Sequence, residues 1–349
     1  MHIGIQGLGT YIPETRMSAA ELAAATGVPE DVIAQKFGVK GKPVAGAEDT
    51  TAEMGVKAAR KALADAGIEG RDLDLVLWCG AQHKDFPCWL AGLYVANELG
   101  AQDAWSFDME AMCGSMMAAL DVAKALMLAR EDLDTVLLVS GYRNNDLIDL
   151  AEPSTRFMLD IGSAGSALVL KKNAGKNVVL GSAFRGDGSL SLDCVMPVLG
   201  SKAWPPSEGD LAKAHFKVVD EEAFKAKLGQ KTMPNFYAVV DRALELSGGL
   251  ARKDIGYLAV LHFKRSAHDA ILEELGLGDG QTTYLDEYGH VGQNDQVLAV
   301  ELGLKAGKIR DGRPVVLVGA GLGFVWAASV VRWGPYRESK GKENTNGKI

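Results

Sequence analysis

The sequence has little of what nucleic-acid-binding, membrane-bound or disulfide-stabilised proteins need. Its 349 residues carry a formal net charge of −8, so the basic surface that nucleic acids and anionic membranes attract is not expected. Four cysteines are too few for a disulfide framework in so long a chain, and no C-x-x-C pair suggests a zinc site. The opening residues, "MHIGIQGLGTYIP", lack a signal-peptide pattern. We therefore expect a cytoplasmic protein without nucleic-acid or membrane partners.

The hydrophobic pattern predicts an α/β fold. Strands are predicted at "HIGIQGLGTYI" and "DTVLLVSGY", whereas "TAEMGVKAARKALADAG" has apolar residues at helical spacing and stops at Gly67. Alternating strands and helices with buried apolar strands are typical of parallel sheets covered by helices. The apolar run "VVLVGAGLGFVWAASVV" approaches the length of a membrane span, but its glycines favour a buried strand and loop.

The two halves of the chain share one pattern. A helix, a glycine stop, a charged turn and a strand occur in "MGVKAARKALADAGIEGRDLDLVLWCG" and again in "NFYAVVDRALELSGGLARKDIGYLAVLH". This repetition predicts an internal duplication, with ordinary α/β periodicity as the alternative. We expect halves at residues 1–175 and 176–333 and a polar tail at 334–349. Residues from about 186 to 231 break the alternation and are predicted to wall a substrate tunnel.

Cys113 lies between methionines at the start of the helical run "GSMMAALDVAKALML". Free cysteine is among the most buried residue types, so a place in the core is one interpretation. The other is a nucleophile, because the first turn of a helix favours a thiolate. Gly114 and Ser115 are small enough to let a substrate approach. The residues around Cys113 leave both interpretations open.

A thiolate nucleophile needs a base or an electrostatic partner. Four histidines are candidates: His83, His262, His268 and His290. Of these, His262 ends the predicted strand "YLAVLH" and His290 lies in the glycine-flanked loop "YLDEYGHVGQND". Open α/β sheets place their chemistry at such strand ends and loops. These two histidines are therefore the preferred partners of Cys113.

Segments along nearly the whole chain carry a family resemblance. They include "GTYIPETRMSAAEL", "HKDFP", "RFMLDIGSAGSALVL" and "GLGFVWAASVVRW". In order and spacing they resemble the thiolase superfamily, and within it the β-ketoacyl-acyl-carrier-protein synthase III group. The resemblance implies a thiolase-like five-layered αβαβα fold from two duplicated halves, usually as a homodimer. This agrees with the repeat described above.

The resemblance also implies site residues and a reaction. Cys113 would accept an acyl group from a coenzyme A or carrier-protein thioester, and His262 matches the family's histidine of the second half. His290 stands where the synthase III group usually has asparagine, although elongating ketoacyl synthases use two histidines. Backbone N–H groups of Cys113 and of the "GLG" turn around Leu322 would form the oxyanion hole, with Leu322 where the family usually has glycine. A malonyl-type thioester would then condense decarboxylatively, with no metal or other cofactor.

The residues implied at the substrate entrance match less closely. Lys36 stands where the family often has an arginine over the coenzyme A nucleotide. Lys264 and Arg265 follow His262 and are predicted to meet a pyrophosphate or an acidic carrier protein, with a solvated basic turn as the alternative. Phe86 corresponds to the aromatic residue that closes the acyl tunnel, and ordinary packing in a dimer interface is the other interpretation.

Several alternative functions remain from the sequence. Condensation is the first choice, and transfer of the Cys113 acyl group to an alcohol or amine is the second, since a histidine at 290 can act as a base. A 3-hydroxy-3-methylglutaryl-coenzyme A synthase would need a glutamate where "CGAQHKD" has Gln82 and His83. A non-catalytic partner subunit would lack the cysteine. The "GAGLGF" segment lacks the spacing of a dinucleotide-binding loop.

Overall fold

The computed structural model describes residues 1–336. Within them the strands are β1 Ile3–Tyr11, β2 Arg16–Ser18, β3 Gly41–Pro43, β4 Leu75–Trp78, β5 Trp105–Asp108, β6 Thr135–Tyr142, β7 Ala164–Lys172, β8 Lys176–Gly186, β9 Cys194–Val195, β10 Lys217–Val218, β11 Tyr257–Val260, β12 Pro314–Gly321 and β13 Val325–Pro335. The helices are α1 Ala19–Thr26, α2 Glu30–Val32, α3 Thr51–Ala66, α4 Ala91–Glu98, α5 Ser115–Ala129, α6 Glu221–Leu246, α7 Arg265–Leu275 and α8 Asp295–Lys305. A π-helical turn, Ile33–Phe37, continues α2.

Nine strands form one continuous sheet in the order β11-β12-β13-β8-β1-β7-β6-β4-β5. In the first half β4 runs parallel to β6, and β6 and β1 flank β7 in antiparallel fashion. The second half repeats this with β11 parallel to β12, and with β12 and β8 flanking an antiparallel β13. The halves join where Gly4 of β1 pairs with Val178 of β8. The expected fold from two duplicated halves is confirmed.

Helices and sheet halves alternate as five layers. Helices α3 and α4 pack on the outer face of the first half, and α6 and α7 pack on the outer face of the second. Helices α5 and α8 lie between the halves in a core to which both contribute strands. The outer helix α3 approaches β1 closely, because a Cβ at Gly7 or Gly9 would lie 2.4 Å from a helix carbonyl oxygen. Glycine at these two positions allows α3 to pack closely against the sheet.

The central helix α5 has the length and composition of a membrane span when counted from Met112 to Ala129. Half of that stretch is buried inside the protein. Its inward side chains, Met116, Leu120, Ala123 and Met127, belong to the core between the two halves. Its apolar character is explained by this central position.

The two central helices begin in the same way and face each other. A 3₁₀ turn at Met112–Gly114 precedes α5, and a 3₁₀ turn at Gly292–Asn294 precedes α8. Cys113 lies in the first turn, and His290 lies two residues before the second. The duplication therefore brings these two predicted residues to one place from opposite halves.

Two predicted boundaries differ from the structure. Helix α6 begins at Glu221, inside the stretch from about 186 to 231 that was expected to lie outside the α/β pattern. The Asp220 carboxylate caps this helix by accepting a hydrogen bond from the Ala223 amide. The irregular part between β8 and α6 holds the short β9–β10 pair. At the other end, β13 extends through Gly334 and Pro335 into the predicted tail, and residues 337–349 lie outside the described part of the chain.

Candidate active site

Cys113 is presented by a tight turn rather than buried in the core. Met112, just before it, has a φ of 50°, a left-handed conformation that a side chain of this size rarely adopts. The Ser115 hydroxyl supports the turn by donating to the Met112 carbonyl at 2.7 Å and accepting from the Ala111 amide at 2.8 Å. Cys113 itself is half-buried, whereas Cys79 is fully buried and its burial raises the pKa of that thiol to about 12. Of these two cysteines, only Cys113 is positioned so that a substrate can reach its sulfur.

His290 contacts the Cys113 sulfur. Its Nε2 lies 3.1 Å from the Cys113 Sγ, and its Nδ1 lies 2.7 Å from the Asp295 Oδ2. A carboxylate only accepts, so Nδ1 carries a proton and donates to Asp295. The result is a cysteine–histidine–carboxylate arrangement, in which the third group orients the second. The pair Cys113 and His290 was predicted from the sequence, and Asp295 was not.

The charge of His290 is set by its two neighbours. Burial alone would lower the pKa of the imidazole, but the Asp295 carboxylate and the Cys113 thiolate outweigh it, so the pKa of His290 is raised well above its usual range. The imidazole therefore stays protonated at neutral pH and can donate from Nε2 to the sulfur. This is the electrostatic partner that a thiolate needs.

Asp295 organises the loop as well as the imidazole. It is fully buried at the first position of α8, where the helix dipole favours a negative charge. Besides His290 it accepts hydrogen bonds at 2.7 Å from the backbone amides of Val291 and His262. A buried carboxylate with three donors is fully satisfied, so its position is fixed by the backbone of both segments.

His262 reaches the site through its backbone, while its ring is engaged elsewhere. Nδ1 lies 2.7 Å from the Asp160 carboxylate, and Nε2 lies 3.1 Å from the Gly38 carbonyl oxygen. Both partners are acceptors, so the two contacts are both hydrogen bonds only when the ring carries two protons. In this conformation His262 is tied to the Asp160 and Gly38 segments. Its predicted role in polarising a thioester carbonyl stays a prediction.

Removing the Asp160 carboxylate is expected to destabilise the fold. Its pKa is lowered because, although burial raises it, the hydrogen bond and charge of His262 outweigh burial. In the Asp160→Ala variant the buried Nδ1 of His262 loses its hydrogen-bond acceptor, and we expect the free energy of unfolding to fall by about 3 kcal/mol in urea titrations. A control is Asp146→Ala, which breaks the more exposed contacts with His83 and Arg143 and should cost about 1 kcal/mol or less. Equal losses would contradict a stabilising buried pair of Asp160 and His262.

Lys42 is a buried lysine beside the same cluster. It is 2% exposed, and its Nζ donates to the Leu159 carbonyl oxygen at 2.8 Å. Burial lowers the pKa of Lys42 to about 8, while the negative charge of Asp160 partly opposes this. The charged form of this lysine is therefore costly in the folded protein.

The unfavourable burial of charged Lys42 should make its contribution to the free energy of unfolding depend on pH. Between pH 8 and 10.5 the unfolded lysine binds a proton that the folded one does not, so the contribution of Lys42 to the free energy of unfolding rises with pH in this window. We expect Lys42→Met to be more favourable relative to wild type at pH 7.5 than at pH 10, by about 2–3 kcal/mol in urea unfolding. The matched control is Lys305→Met, which replaces an exposed lysine. A Lys42→Met difference that is equal at the two pH values would contradict the account.

Comparisons with known proteins agree with this fold. The family model "3-Oxoacyl-acyl-carrier-protein (ACP) synthase III" matches residues 107–188, and the model of its C-terminal part matches residues 246–333. These two matches include Cys113, His262 and His290. The chain belongs to the thiolase superfamily, as a synthase III-like member.

Similar proteins extend the match to nearly the whole chain. β-Ketoacyl-acyl-carrier-protein synthase III of Sphingopyxis alaskensis is 28% identical over 330 residues, covering 94% of this chain and 98% of the relative. The enzyme of the same name from Allorhizobium ampelinum is 26% identical with the same coverage. The crystal structure of 3-oxoacyl-(acyl carrier protein) synthase III from Pseudomonas aeruginosa has a TM-score of 0.82 at 25% identity, covering 97% of this chain and all of that one. The priming β-ketosynthase of the R1128 polyketide pathway shares the fold, with a TM-score of 0.81 at 23% identity and coverage of 96% and 97%.

The predicted oxyanion-hole segments of this synthase III-like chain lie side by side. A Cβ added at Gly321 would be 2.8 Å from the Cys113 backbone nitrogen, so the turn that contains Leu322 packs directly on the nucleophile's backbone. Leu322 is partly buried in an apolar cluster that also holds Tyr142 and Phe224. The placement agrees with a shared oxyanion hole, and the donor role of Leu322 stays a prediction.

The three basic residues predicted at the substrate entrance lie near one another. Lys36 belongs to the π-helical turn Ile33–Phe37, and the Lys264 ammonium lies 5.2 Å from the centre of the Phe37 ring. Arg265 begins α7 and forms an ion pair with Asp269 at 2.9 Å. The first half and the second half thus supply positive charge to the same edge of the molecule.

Phe86 lies on the surface of the described chain. Its side chain is 62% exposed, and its ring meets Trp89 edge-on at 5.6 Å. Other large apolar residues in α4 and β5, Leu93 and Trp105, are about half exposed. Phe86 is therefore not part of the core of the described chain, and its tunnel-closing role stays a prediction.

Sequence reasoning missed the carboxylates that hold both histidines. Asp295 follows His290 by five positions and begins a helix, which is a local signal for a capped, dipole-stabilised carboxylate. Asp160 offered no such signal, because its contact with His262 joins residues far apart in the chain. Asp160 lies within a segment quoted for the family resemblance and Asp295 ends the loop quoted for His290, but neither was assigned any chemistry.

Proposed function

We propose that this chain is a synthase III-type condensing acyltransferase. It takes an acyl group from a thioester onto Cys113 and condenses it with a malonyl-type thioester. The observation that carries the proposal is the 3.1 Å contact between the Cys113 sulfur and a His290 oriented by Asp295. The relatives with nearly complete coverage are named β-ketoacyl-acyl-carrier-protein synthase III. The thioester supplies the activated acyl group, so no cofactor is assigned.

In the first half-reaction the Cys113 thiolate attacks the thioester carbonyl carbon. The oxyanion accepts hydrogen bonds from the backbone amides of Cys113 and Leu322, a type of stabilisation that strengthens as charge develops. The tetrahedral intermediate collapses, the new Cys113–acyl bond remains, and the departing thiolate takes the proton of the His290 imidazolium. Acyl-enzyme and free thiol are the products.

In the second half-reaction His290 acts as a donor. The Asp295 carboxylate on Nδ1 favours renewed protonation of His290 from solvent, after which Nε2 donates to the carbonyl oxygen of the malonyl-type thioester. Loss of carbon dioxide leaves an enolate, whose carbon attacks the acyl group on Cys113. The thiolate leaves and is again paired with the imidazolium. The pair of Cys113 thiolate and His290 imidazolium is thus present at the start and again at the end of the catalytic cycle.

A second candidate function is transfer of the acyl group to an alcohol or amine. The observation that favours it is the Asp295 carboxylate on His290 Nδ1, since a histidine oriented by a carboxylate is suited to general-base work. A base must be neutral, and acylation removes the Cys113 charge that contributes to the raised pKa of His290. This function therefore requires His290 to stay neutral in the acyl-enzyme, whereas condensation requires it to be protonated again.

The assembly and surroundings of the enzyme are part of the proposal. The exposed apolar side chains of Phe86, Leu93 and Trp105 favour a homodimer in which Phe86 closes the neighbouring acyl tunnel. The basic residues Lys36, Lys264 and Arg265 favour an anionic thioester carrier, either coenzyme A or an acidic acyl carrier protein. The acidic, disulfide-poor composition favours the cytoplasm.

The test is product formation from defined thioesters. The full chain is mixed with acyl-coenzyme A donors of increasing length and with malonyl-coenzyme A or malonyl carrier protein. We expect a 3-oxoacyl thioester two carbons longer than the donor, with release of one carbon dioxide per product. Consumption of donor without a 3-oxoacyl product, in the presence of either malonyl thioester, would contradict condensation.

A further inference from the structure

Tyr142 is a buried tyrosine at the active centre that the sequence did not single out. It is the last residue of β6, and it is 3% exposed. Its ring lies on the backbone of the loop that follows His290: a Cβ at Gly292 would be 2.5 Å from the ring. Gly292 also has a φ of 69°, so both the space and the backbone conformation there require glycine. The Tyr142 ring is therefore fixed against the loop that carries His290.

The ring of this tyrosine lies next to the imidazole that contacts the nucleophile. The Tyr142 ring centre is 6.2 Å from that of His290, whose Nε2 contacts the Cys113 sulfur. Burial, followed by the negative charges of Cys113 and Asp295, raises the pKa of Tyr142 well above its usual range. The hydroxyl therefore keeps its proton at working pH and remains a hydrogen-bond donor.

We propose that Tyr142 is a further catalytic residue, whose hydroxyl donates a hydrogen bond first to the Cys113 thiolate and then to the carbonyl oxygen of the second thioester. The second role rests on the proposed condensation, and the first does not. The geometry that supports it is a Tyr142 ring that packs on the Gly292 turn and next to His290, whose Nε2 contacts the Cys113 sulfur.

The need for a second donor follows from the placement of His262. Both nitrogens of the His262 ring are engaged, by Asp160 and by the Gly38 carbonyl oxygen. Once Cys113 is acylated, its sulfur no longer carries the charge that attracts the tyrosine hydroxyl. The hydroxyl is then free to meet the carbonyl oxygen on which negative charge develops as carbon dioxide leaves. His290 and Tyr142 together would supply the two donors of that step.

The decisive variant is Tyr142→Phe, which keeps the ring packing and removes only the hydroxyl. The first readout is alkylation of Cys113 by iodoacetamide at pH 7, which needs no substrate. A hydrogen bond to a charged group supports about a 10- to 100-fold effect, so we expect alkylation to slow by about that factor. The second readout is condensation with malonyl-coenzyme A, where kcat should fall by about 10- to 100-fold while the KM of the acyl donor changes little.

The control is Tyr94→Phe, whose hydroxyl contacts Glu53 on α3 instead of the active centre. Thermal unfolding of both variants should resemble that of wild type. The proposal is overturned if Tyr142→Phe alkylates Cys113 as fast as Tyr94→Phe does. Failure of the proposed condensation is recognised separately, because wild type would then form no 3-oxoacyl product while the alkylation comparison still tests Tyr142.

Discussion

Replacing Cys113 by alanine is expected to abolish the acyl-enzyme and to lower the rate of condensation by about 10⁴-fold or more. Alanine leaves His290 and Asp295 in place but removes the atom that accepts the acyl group. The oxyanion hole and substrate-binding residues remain, so residual binding of thioester is expected to persist. Intact-protein mass spectrometry after incubation with acyl-coenzyme A measures the adduct directly.

The matched control for this variant is Cys88→Ala, because Cys88 is the exposed free cysteine and could react adventitiously. It should retain the adduct and the activity of wild type. An adduct that survives in Cys113→Ala and disappears in Cys88→Ala would contradict the assignment of the nucleophile. Loss of the adduct in Cys113→Ala alone would exclude the interpretation of Cys113 as an ordinary core residue.

Replacing Asp295 by asparagine should have the second-largest effect, a loss in kcat of about 10²- to 10⁴-fold. The amide keeps the size of the carboxylate, and its oxygen can still accept a backbone hydrogen bond from Val291 or His262. It brings no charge, so it no longer stabilises the imidazolium or fixes the proton on Nδ1. The pKa of His290 should fall, and with it the ability of Nε2 to donate to sulfur or carbonyl oxygen.

The measurement is single-turnover acylation together with steady-state condensation, each compared with circular dichroism to verify the fold. Glu245→Gln is a suitable control, because it removes an exposed carboxylate paired with Arg242 far from the sulfur and should change neither rate. If Asp295→Asn were as active as Glu245→Gln, the carboxylate would only hold the backbone of the Val291 and His262 segments in place.

The duplicated fold was predictable because the sequences of both halves contain the same hydrophobic pattern. The buried strands β4 and β11 and the helices α3 and α6 show it clearly, and their ends are marked by glycine or by a capping carboxylate. The start of α6 was misjudged because Pro234 lies inside it. Proline usually ends or kinks a helix, yet here the helix extends thirteen residues before it, supported by the Asp220 cap and an ion pair between Glu221 and Lys225.

The site was predictable only as far as local sequence signals reach. Cys113 and His290 each lie beside a helix start or in a glycine-rich loop, and the resemblance assigned their chemistry. The Asp160 contact with His262 and the place of Tyr142 next to His290 depend on how the two halves meet. No spacing along the chain encodes these contacts, because each joins residues of different segments. His262 illustrates this limit most clearly. Its position at the end of a strand was predicted correctly, but the hydrogen-bond partners of its ring, Asp160 and the Gly38 carbonyl, could not be predicted from the sequence.

The measurement that tests the central claim most directly is a chase of the preformed acyl-enzyme, followed by intact-protein mass spectrometry. The acylated chain is freed of donor, divided, and mixed with malonyl-coenzyme A, malonyl carrier protein, or a panel of alcohols and amines. The account predicts that a malonyl thioester returns Cys113 to its unmodified mass, with release of carbon dioxide and a 3-oxoacyl product. An acyl-enzyme that resists both malonyl thioesters but is discharged by an alcohol or amine would contradict it and establish the transferase instead.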